Sequence, residues 1–128
     1  MTFDLIENRQ FIPDIKVEVQ KEGEVVKTVS LRGKSFYSFG KLPLHDIQMA
    51  HRSISRSHAT MIVDSQKGVC ILDLGSKSGT KINGEKVEAQ VPVPLINGAV
   101  LQFGMSTRRY LIGIDFSKVE QNFSDKSK

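Results

Sequence analysis

Short runs in which apolar and polar residues alternate are the feature that most limits what this 128-residue chain can fold into. Alternation with a period of two is typical of a β-strand with one buried face, and no stretch of about a dozen residues shows the period of about 3.6 that marks an amphipathic helix. The runs with this character are 15–19, 25–31, 36–39, 46–49, 59–63, 69–74, 80–82, 86–87, 99–103 and 109–114. The sequence therefore predicts an all-β fold, a two-sheet β-sandwich of about ten or eleven short strands.

Turn residues separate these runs, for example Arg32-Gly33-Lys34 and the Asn-Gly pairs Asn83-Gly84 and Asn97-Gly98. Asn-Gly pairs tolerate a positive φ and close tight hairpins. We interpret Gly40 and Gly79, together with the glycines of these pairs, as residues that permit tight turns or a close approach of the backbone.

The apolar content of 39% is enough for one hydrophobic core and leaves no room for a second large domain. We expect a folded domain over residues 15–116, an N-terminal arm over 1–14 and a flexible polar C-terminal tail over 117–128. No apolar run approaches the roughly 18 residues of a membrane span, and the start lacks the features of a secretory signal, so a soluble chain is expected. Cys70 is the only cysteine, so it is expected to pack as a small apolar residue in a reducing, intracellular compartment.

The excess of positive charge is local. The net charge of +4 falls on residues 32–60, because basic and acidic side chains cancel over the rest of the chain. That segment holds one acidic residue, Asp46, against the basic residues Arg32, Lys34, Lys41, Arg52 and Arg56. A local anionic ligand is therefore favoured over a long polyanion.

Three short segments at the ends of apolar runs concentrate glycine, serine and basic residues. They are Phe39-Gly40-Lys41, residues 53–58 (SISRSH) and residues 74–80 (LGSKSGT). A phosphorylated side chain carries about −1.5 to −2 charges and three acceptor oxygens, so its site needs donors from several loops and at least one cation. Hydroxyl groups, backbone amides and cations supply that chemistry. The segments thus predict recognition of a phosphorylated partner.

In this order between these strands, the segments resemble the forkhead-associated (FHA) domain, a β-sandwich family that binds phosphothreonine peptides. The resemblance covers residues 15–114. Gly40-Lys41 stands for the family's Gly-Arg and Ser55-Arg56-Ser57-His58 for its Ser-Arg-x-His. Residues 73–80 (DLGSKSGT) stand for Asp-Leu-x-Ser-x-Asn-Gly-Thr, and Ile82-Asn83-Gly84, Asn97-Gly98 and Phe103-Gly104 follow.

Within the family, residues 103–110 (FGMSTRRY) are similar to the Phe-Gly-x-Ser-Thr-Arg-x-Tyr ending of the FHA domains of kanadaptin, the nuclear inhibitor of protein phosphatase and the Smad nuclear-interacting protein. Residues 36–42 and Asp46-Ile47 also fit that group. This resemblance implies a nuclear protein linked to RNA processing. It implies a threonine-phosphorylated protein as partner, within a ribonucleoprotein or spliceosome-associated complex.

The resemblance also assigns roles around the phosphate. Ser55 takes the position that hydrogen-bonds the phosphate directly, although a serine in a turn commonly bonds its own backbone instead. Lys41 stands where the family has arginine, and its point charge in place of a planar fork predicts weaker or less selective phosphate binding. Lys77 replaces a threonine, and it either reaches the same phosphate or is a solvated surface lysine.

Other positions bear on the peptide around the phosphate. Ser78 replaces the asparagine that holds the ligand's backbone, and its shorter side chain predicts a less firmly held peptide register. Arg56 is expected at the rim of the site, bound to phosphate or to an acidic peptide residue, unless it is only a surface charge. Arg52 and Ser53 lie where family members read the residues after the phosphothreonine, so they are candidates for specificity.

Catalysis and metal binding are not expected from this sequence. The family uses the position of His58 to brace the loops, as a structural residue alongside Gly40 and Gly79. His45 and His51 have no cysteine or carboxylate at metal-ligand spacing other than the adjacent Asp46, so no metal and no cofactor is proposed. The chain has no Gly-x-Ser-x-Gly elbow and no Walker-type loop, and the glycine-rich loop at 75–79 is not followed by a helix.

Two functions of different classes follow. The first is a phosphothreonine-peptide-binding adaptor that recruits a partner through the three segments. The second is a phosphate-independent structural interaction subunit with a degenerate FHA site, which the substitutions at Lys41, Lys77 and Ser78 keep open. Direct nucleic-acid binding through residues 32–60 is disfavoured, because no aromatic residues interleave with the basic ones beyond Phe36 and Tyr37.

Overall fold

A computed structural model describes residues 13–64 and 68–115 of the chain. Every regular element in these residues is a strand, which confirms the all-β prediction. The strands are β1 (Asp14–Lys21), β2 (Glu24–Leu31), β3 (Phe36–Gly40), β4 (Ile47–Gln48), β5 (Ala59–Asp64), β6 (Gly68–Asp73), β7 (Thr80–Ile82), β8 (Glu85–Lys86), β9 (Val93–Leu95), β10 (Val100–Phe103) and β11 (Arg109–Asp115). No helix in this part of the chain is long and apolar enough to cross a membrane.

The strands form two sheets. One has six strands in the order β2-β1-β11-β10-β7-β8, and the other has five in the order β4-β3-β5-β6-β9. Neighbouring strands run antiparallel, except that β3 and β4 are parallel. This is the two-sheet sandwich that the alternating runs predicted.

The core lies between the inner faces of the sheets and has an aromatic cluster near one end. Ile15, Val17 and Val19 alternate inward along β1, as the period of two requires. Phe39 of the five-stranded sheet stacks on Phe103 of the six-stranded sheet with ring centroids 5.1 Å apart, so this pair joins the two layers. Burial of each such side chain stabilises the fold by about 1.5–3 kcal/mol.

The sequence analysis missed β9 because of its prolines. Pro92 precedes the strand and Pro94 lies within it, and proline cannot donate to a ladder of hydrogen bonds. The strand is nevertheless formed, since β9 is an edge strand of its sheet and pairs on one side only, with β6.

Cys70 is a free, half-buried cysteine on the outer face of β6, because its neighbours Val69 and Ile71 take the core face.

The predicted arm (1–14) and tail (117–128) lie outside the described residues, apart from Pro13 and Asp14. β1 already begins at Asp14, one residue before the boundary expected for the domain.

The end of the sandwich opposite to the start of β1 is called the apical end. There β3 and β6 end, and β5 and β7 begin. The register brings these ends together, because Ala59 lies opposite both Phe39 and Asp73, and Thr80 lies opposite Phe103.

Candidate functional site

Three loops at the apical end hold the candidate residues. The first loop (residues 41–46) joins β3 to β4, the second (49–58) joins β4 to β5, and the third (74–79) joins β6 to β7. A fourth connection, residues 104–108 between β10 and β11, lies beside them. The predicted site residues are separated by up to 37 positions in sequence, from Lys41 to Ser78, yet the loops that carry them are directly bonded to one another.

His58 joins the second loop to the third through hydrogen bonds from a buried side chain. Its side chain is fully buried and lies edge-on against the Phe103 ring, with centroids 5.5 Å apart. The Nδ1 atom accepts the Ser55 amide at 3.1 Å, so the ring proton is on Nε2, which donates to the Gly79 carbonyl oxygen at 2.9 Å. His58 therefore fixes one residue in each of two loops.

Asp73 holds the third loop in shape. One carboxylate oxygen accepts the amides of Gly75 and Ser76, each at 3.0 Å, and the other accepts the hydroxyls of Ser76 at 2.6 Å and Thr80 at 2.7 Å. Ser76 Oγ in turn accepts the amide of Gly79 at 2.9 Å. Burial alone would raise the pKa of Asp73, but these hydrogen bonds outweigh it and the pKa is lowered.

Ser55 lies where the second and third loops meet. Its Oγ accepts the backbone amide of Lys77 at 3.1 Å, and its own amide is donated to His58. A hydroxyl that accepts in this way still has its own hydrogen to donate. The hydroxyl of Ser55, and not its amide, is thus the group available to an incoming acceptor.

The first loop is fastened to the second by backbone contacts. The Lys41 amide donates to the carbonyl oxygens of Ser55 and Arg56, both at 3.1 Å. His45 Nε2 donates to the same Arg56 oxygen at 2.6 Å, and its Nδ1 is buried without a hydrogen-bond partner. Gly40 leaves the necessary space, because a Cβ there would overlap the Arg56 carbonyl oxygen and the His45 ring.

The structure therefore brings four of the predicted residues together around Ser55, namely Lys41, Arg56, Lys77 and Ser78. The side chains of Lys41, Arg56 and Lys77 are exposed, and none of them forms an ion pair within residues 13–64 and 68–115. Ser78 is half-buried beside them. The result is three cations and at least one free hydroxyl hydrogen on adjoining loops, an arrangement that attracts an anion.

The acidic residue of the basic segment does not compete for these cations. Asp46 pairs with the Lys34 ammonium at 2.6 Å and accepts the amide of Ser38 at 2.8 Å. Burial would raise the pKa of Asp46, but these contacts with Lys34 and Ser38 lower it overall. In the described part of the chain, no group of three or more histidine, cysteine or carboxylate side chains is placed to hold a metal ion.

The two specificity candidates, Arg52 and Ser53, differ in whether their side chains are available to a ligand. Ser53 Oγ accepts the Met105 amide at 2.7 Å and lies 2.8 Å from His51 Nδ1, to which it donates, so both capacities of the hydroxyl are used within the protein. Gly104 permits this contact, because a Cβ there would lie 2.6 Å from Ser53 Oγ. Arg52 is exposed. Ser53 thus joins the second loop to residues 104–108, and Arg52 is the candidate with an open side chain.

Sequence reasoning missed the parts played by His45 and by Ser53. Nothing in the spacing of His45 indicates that it will reach Arg56, since that contact depends on the path of two loops. The role of Asp73 did have a signal in the sequence. An aspartate side chain commonly closes a turn by accepting the backbone amides of the residues that follow it, and here a serine also follows three positions later.

The family model of the FHA domain matches residues 37–104. The human nuclear inhibitor of protein phosphatase 1 is 30% identical over 102 residues, which cover 78% of this chain and 29% of that protein. Human kanadaptin is 32% identical over 106 residues, covering 75% of this chain and 14% of that protein. The chain thus spans less than a third of the length of these relatives, and both belong to the group that residues 103–110 indicated.

A solved structure agrees with this assignment. The crystal structure of the FHA domain of the CT664 protein from Chlamydia trachomatis has a TM-score of 0.65 and 30% sequence identity, over 78% of this chain and 96% of that one. FHA domains are non-catalytic modules that bind phosphothreonine. The match of the family model over more than half of the chain shows that this protein belongs to the FHA domain family.

Proposed function

We propose that this chain binds threonine-phosphorylated peptides at the three apical loops and acts as an adaptor that recruits the protein carrying the peptide. The observation that carries the proposal is the state of Ser55. Its oxygen is held by the Lys77 amide, which aligns the hydroxyl and leaves its hydrogen for a phosphate oxygen. A charge-assisted hydrogen bond of this kind is roughly twice as strong as a neutral one.

Lys77 adds a second positive charge close to Lys41, which stands where the family has arginine. Both lysines have their backbone amides bonded to Ser55, one to its carbonyl oxygen and one to its hydroxyl oxygen. The two lysine side chains therefore start from backbone positions bonded to the same serine, and each carries a flexible ammonium group. Each is a point charge, so together they raise the positive charge at the site but do not supply the bidentate geometry of an arginine.

Ser78 and Arg56 complete the site in this proposal. Ser78 offers a single hydroxyl to the peptide backbone, so the peptide is held mainly through its phosphate. Arg56 lies at the rim with an exposed side chain, whose guanidinium contacts the phosphate or an acidic residue next to it. Affinity for the phosphate then exceeds selectivity for the surrounding sequence.

The test is a binding titration of a degenerate threonine-peptide library in phosphorylated and unphosphorylated forms. We expect the wild-type chain to bind only the phosphorylated form, and Ser55→Ala to weaken that binding by about 10- to 100-fold, the loss of one hydrogen bond to a charged group. Ser57→Ala is the matched control, because Ser57 is exposed in the same loop and its Oγ only approaches His45 Nε2 at 3.4 Å. Equal binding of both peptide forms, unaffected by Ser55→Ala, would refute the proposal.

That refuting result would favour the phosphate-independent interaction subunit. The observations that support this second candidate are the departures at Lys41, Lys77 and Ser78 from the residues that the family uses. In that case Ser55→Ala would leave partner capture unchanged, while substitutions on the outer sheet faces would reduce it.

We also propose that the protein works in the nucleus, in complexes that process RNA. Relatives of similar sequence are named as nuclear proteins, which supports the location. The experiment is to image a fluorescently tagged full-length protein and to identify what co-purifies with it before and after phosphatase treatment. Ribonucleoprotein components that are lost on phosphatase treatment are the expected result, and exclusion from the nucleus would contradict the proposal.

A further inference from the structure

We infer that Lys86 is an additional peptide-binding residue of the apical site, one that contacts an acidic or phosphorylated side chain close to the phosphothreonine. The inference rests on the proposed function and adds to it a preference for a second negative charge in the ligand. Lys86 lies on β8, in the hairpin that β7 and β8 form around Asn83-Gly84.

The side chain of Lys86 extends from the hairpin to the third loop. Its backbone lies opposite Lys81, which follows Gly79 by two residues in the chain. Yet its Cε lies 2.7 Å, and its Nζ 3.4 Å, from the point that a Cβ on Gly79 would occupy. The side chain therefore runs toward the apical end and places its ammonium beside Gly79, next to Ser78.

The charge at this place is not neutralised within the protein. Lys81 lies directly opposite Lys86, and like charges that face each other across neighbouring strands repel. Both lysines are exposed, and neither forms an ion pair within the described ranges 13–64 and 68–115. A carboxylate or phosphate brought in by a ligand would relieve this repulsion.

The position of Lys86 selects a residue beside the phosphothreonine rather than the phosphothreonine itself. The phosphate position is defined by Ser55 and Lys77, whose hydrogen bond joins the second and third loops. Gly79 lies two residues beyond Lys77, on the side of the β7–β8 hairpin. An extended peptide advances about 3.3 Å per residue, so a residue only a few positions from the phosphothreonine is within reach of the Lys86 ammonium.

The test uses a set of synthetic peptides with one phosphothreonine in an alanine and glycine background. A single glutamate is moved through each position from four before to four after the phosphothreonine. Wild type is compared with Lys86→Gln and with the matched control Lys81→Gln, which removes the same charge from the directly opposite residue. Titrations are made at about 0.15 M salt, where interactions between exposed charges are screened beyond about 8 Å.

We expect a glutamate at one position, or at two adjacent positions, to strengthen wild-type binding by about three- to fivefold, the size of an exposed ion pair. Lys86→Gln should abolish that gain and leave the affinity for the phosphothreonine peptide without glutamate within about twofold. Lys81→Gln should keep the gain.

A gain that survives Lys86→Gln would overturn the inference. So would an equal loss in Lys86→Gln and Lys81→Gln, because that result describes a general field of positive charge and not a contact. The proposed function fails separately if wild type does not distinguish the phosphothreonine peptide without glutamate from the same peptide with unphosphorylated threonine. Because Lys86 is exposed, unchanged thermal unfolding of Lys86→Gln confirms that the comparison is between folded proteins.

Discussion

Replacing Asp73 by asparagine is expected to destabilise the protein, with the third loop as the place where structure is lost first. Asp73 is buried, with 2% of its surface exposed, and its two oxygens accept four hydrogen bonds from the third loop and the start of β7. Asparagine has nearly the same shape but no charge, and one of its two terminal atoms is a donor. The substitution therefore tests the hydrogen bonds without creating a cavity.

The expected size follows from those four contacts. The two hydroxyl donors, Ser76 and Thr80, can rotate to accept from the new amide, while the amides of Gly75 and Ser76 need the remaining oxygen. All four bonds then change from charge-assisted, worth about 1.5–3 kcal/mol each, to neutral ones worth about 1 kcal/mol. Allowing for relaxation of the exposed loop, the free energy of unfolding should fall by about 2–4 kcal/mol.

The assay is urea denaturation at neutral pH and then at falling pH. Because the pKa of Asp73 is lowered in the folded protein from its ordinary value of 3.8, its ionised form contributes stability that is complete above that ordinary value and is lost as the pH falls through the lower folded value. Asp73→Asn should therefore lose stability at neutral pH, and the difference from wild type should shrink in acid.

The control is Glu88→Gln, which removes a charge from an exposed residue. A loss of less than about 0.5 kcal/mol in Asp73→Asn, equal to that of the control, would refute the reasoning, because it would mean that the hydrogen bonds to the carboxylate contribute little net free energy. A difference from wild type that stays constant down to the lowest pH would refute the pKa argument.

Two further predictions concern the contacts that join the loops. Gly40→Ala should lower the free energy of unfolding by about 1–3 kcal/mol, because its Cβ overlaps the Arg56 carbonyl oxygen and the His45 ring, whereas Gly113→Ala should change it little, since nothing lies closer than 3.7 Å to a Cβ there. Equal denaturation midpoints for the two variants would show that the first loop yields to the extra atom. Ser53→Ala should cost about 1–2 kcal/mol and raise hydrogen exchange at the Met105 amide, which loses its acceptor, and unchanged exchange at that amide would count against the contact.

Much of the fold could be predicted from local pattern. The alternation in β1, β5, β6 and β11 gave their positions to within a residue or two, because one face of each strand packs on the core and the other faces outward. β9 could not be predicted in this way. Its proline argues against a strand, and the strand exists because an edge position needs hydrogen bonds on one side only.

The candidate site was predicted from motif order, and its geometry was not. Spacing alone gave no reason for the Lys77 amide to reach Ser55, or for His45 to reach Arg56, since each contact spans at least 11 residues and depends on the paths of separate loops. Lys86 has the same character. Its place beside the third loop follows from the register of the β7–β8 hairpin and from the absence of a side chain at Gly79, and neither can be read from the sequence.

The most direct test of the central claim is a map of amide chemical-shift changes in the labelled protein, recorded with one phosphothreonine peptide and with the same peptide lacking the phosphate. The account predicts that only the phosphorylated peptide causes changes, and that these are largest at residues 41, 55, 56, 77 and 78. Changes of equal size with both peptides, or changes confined to the outer faces of the sheets, would contradict a phosphate site at the apical loops.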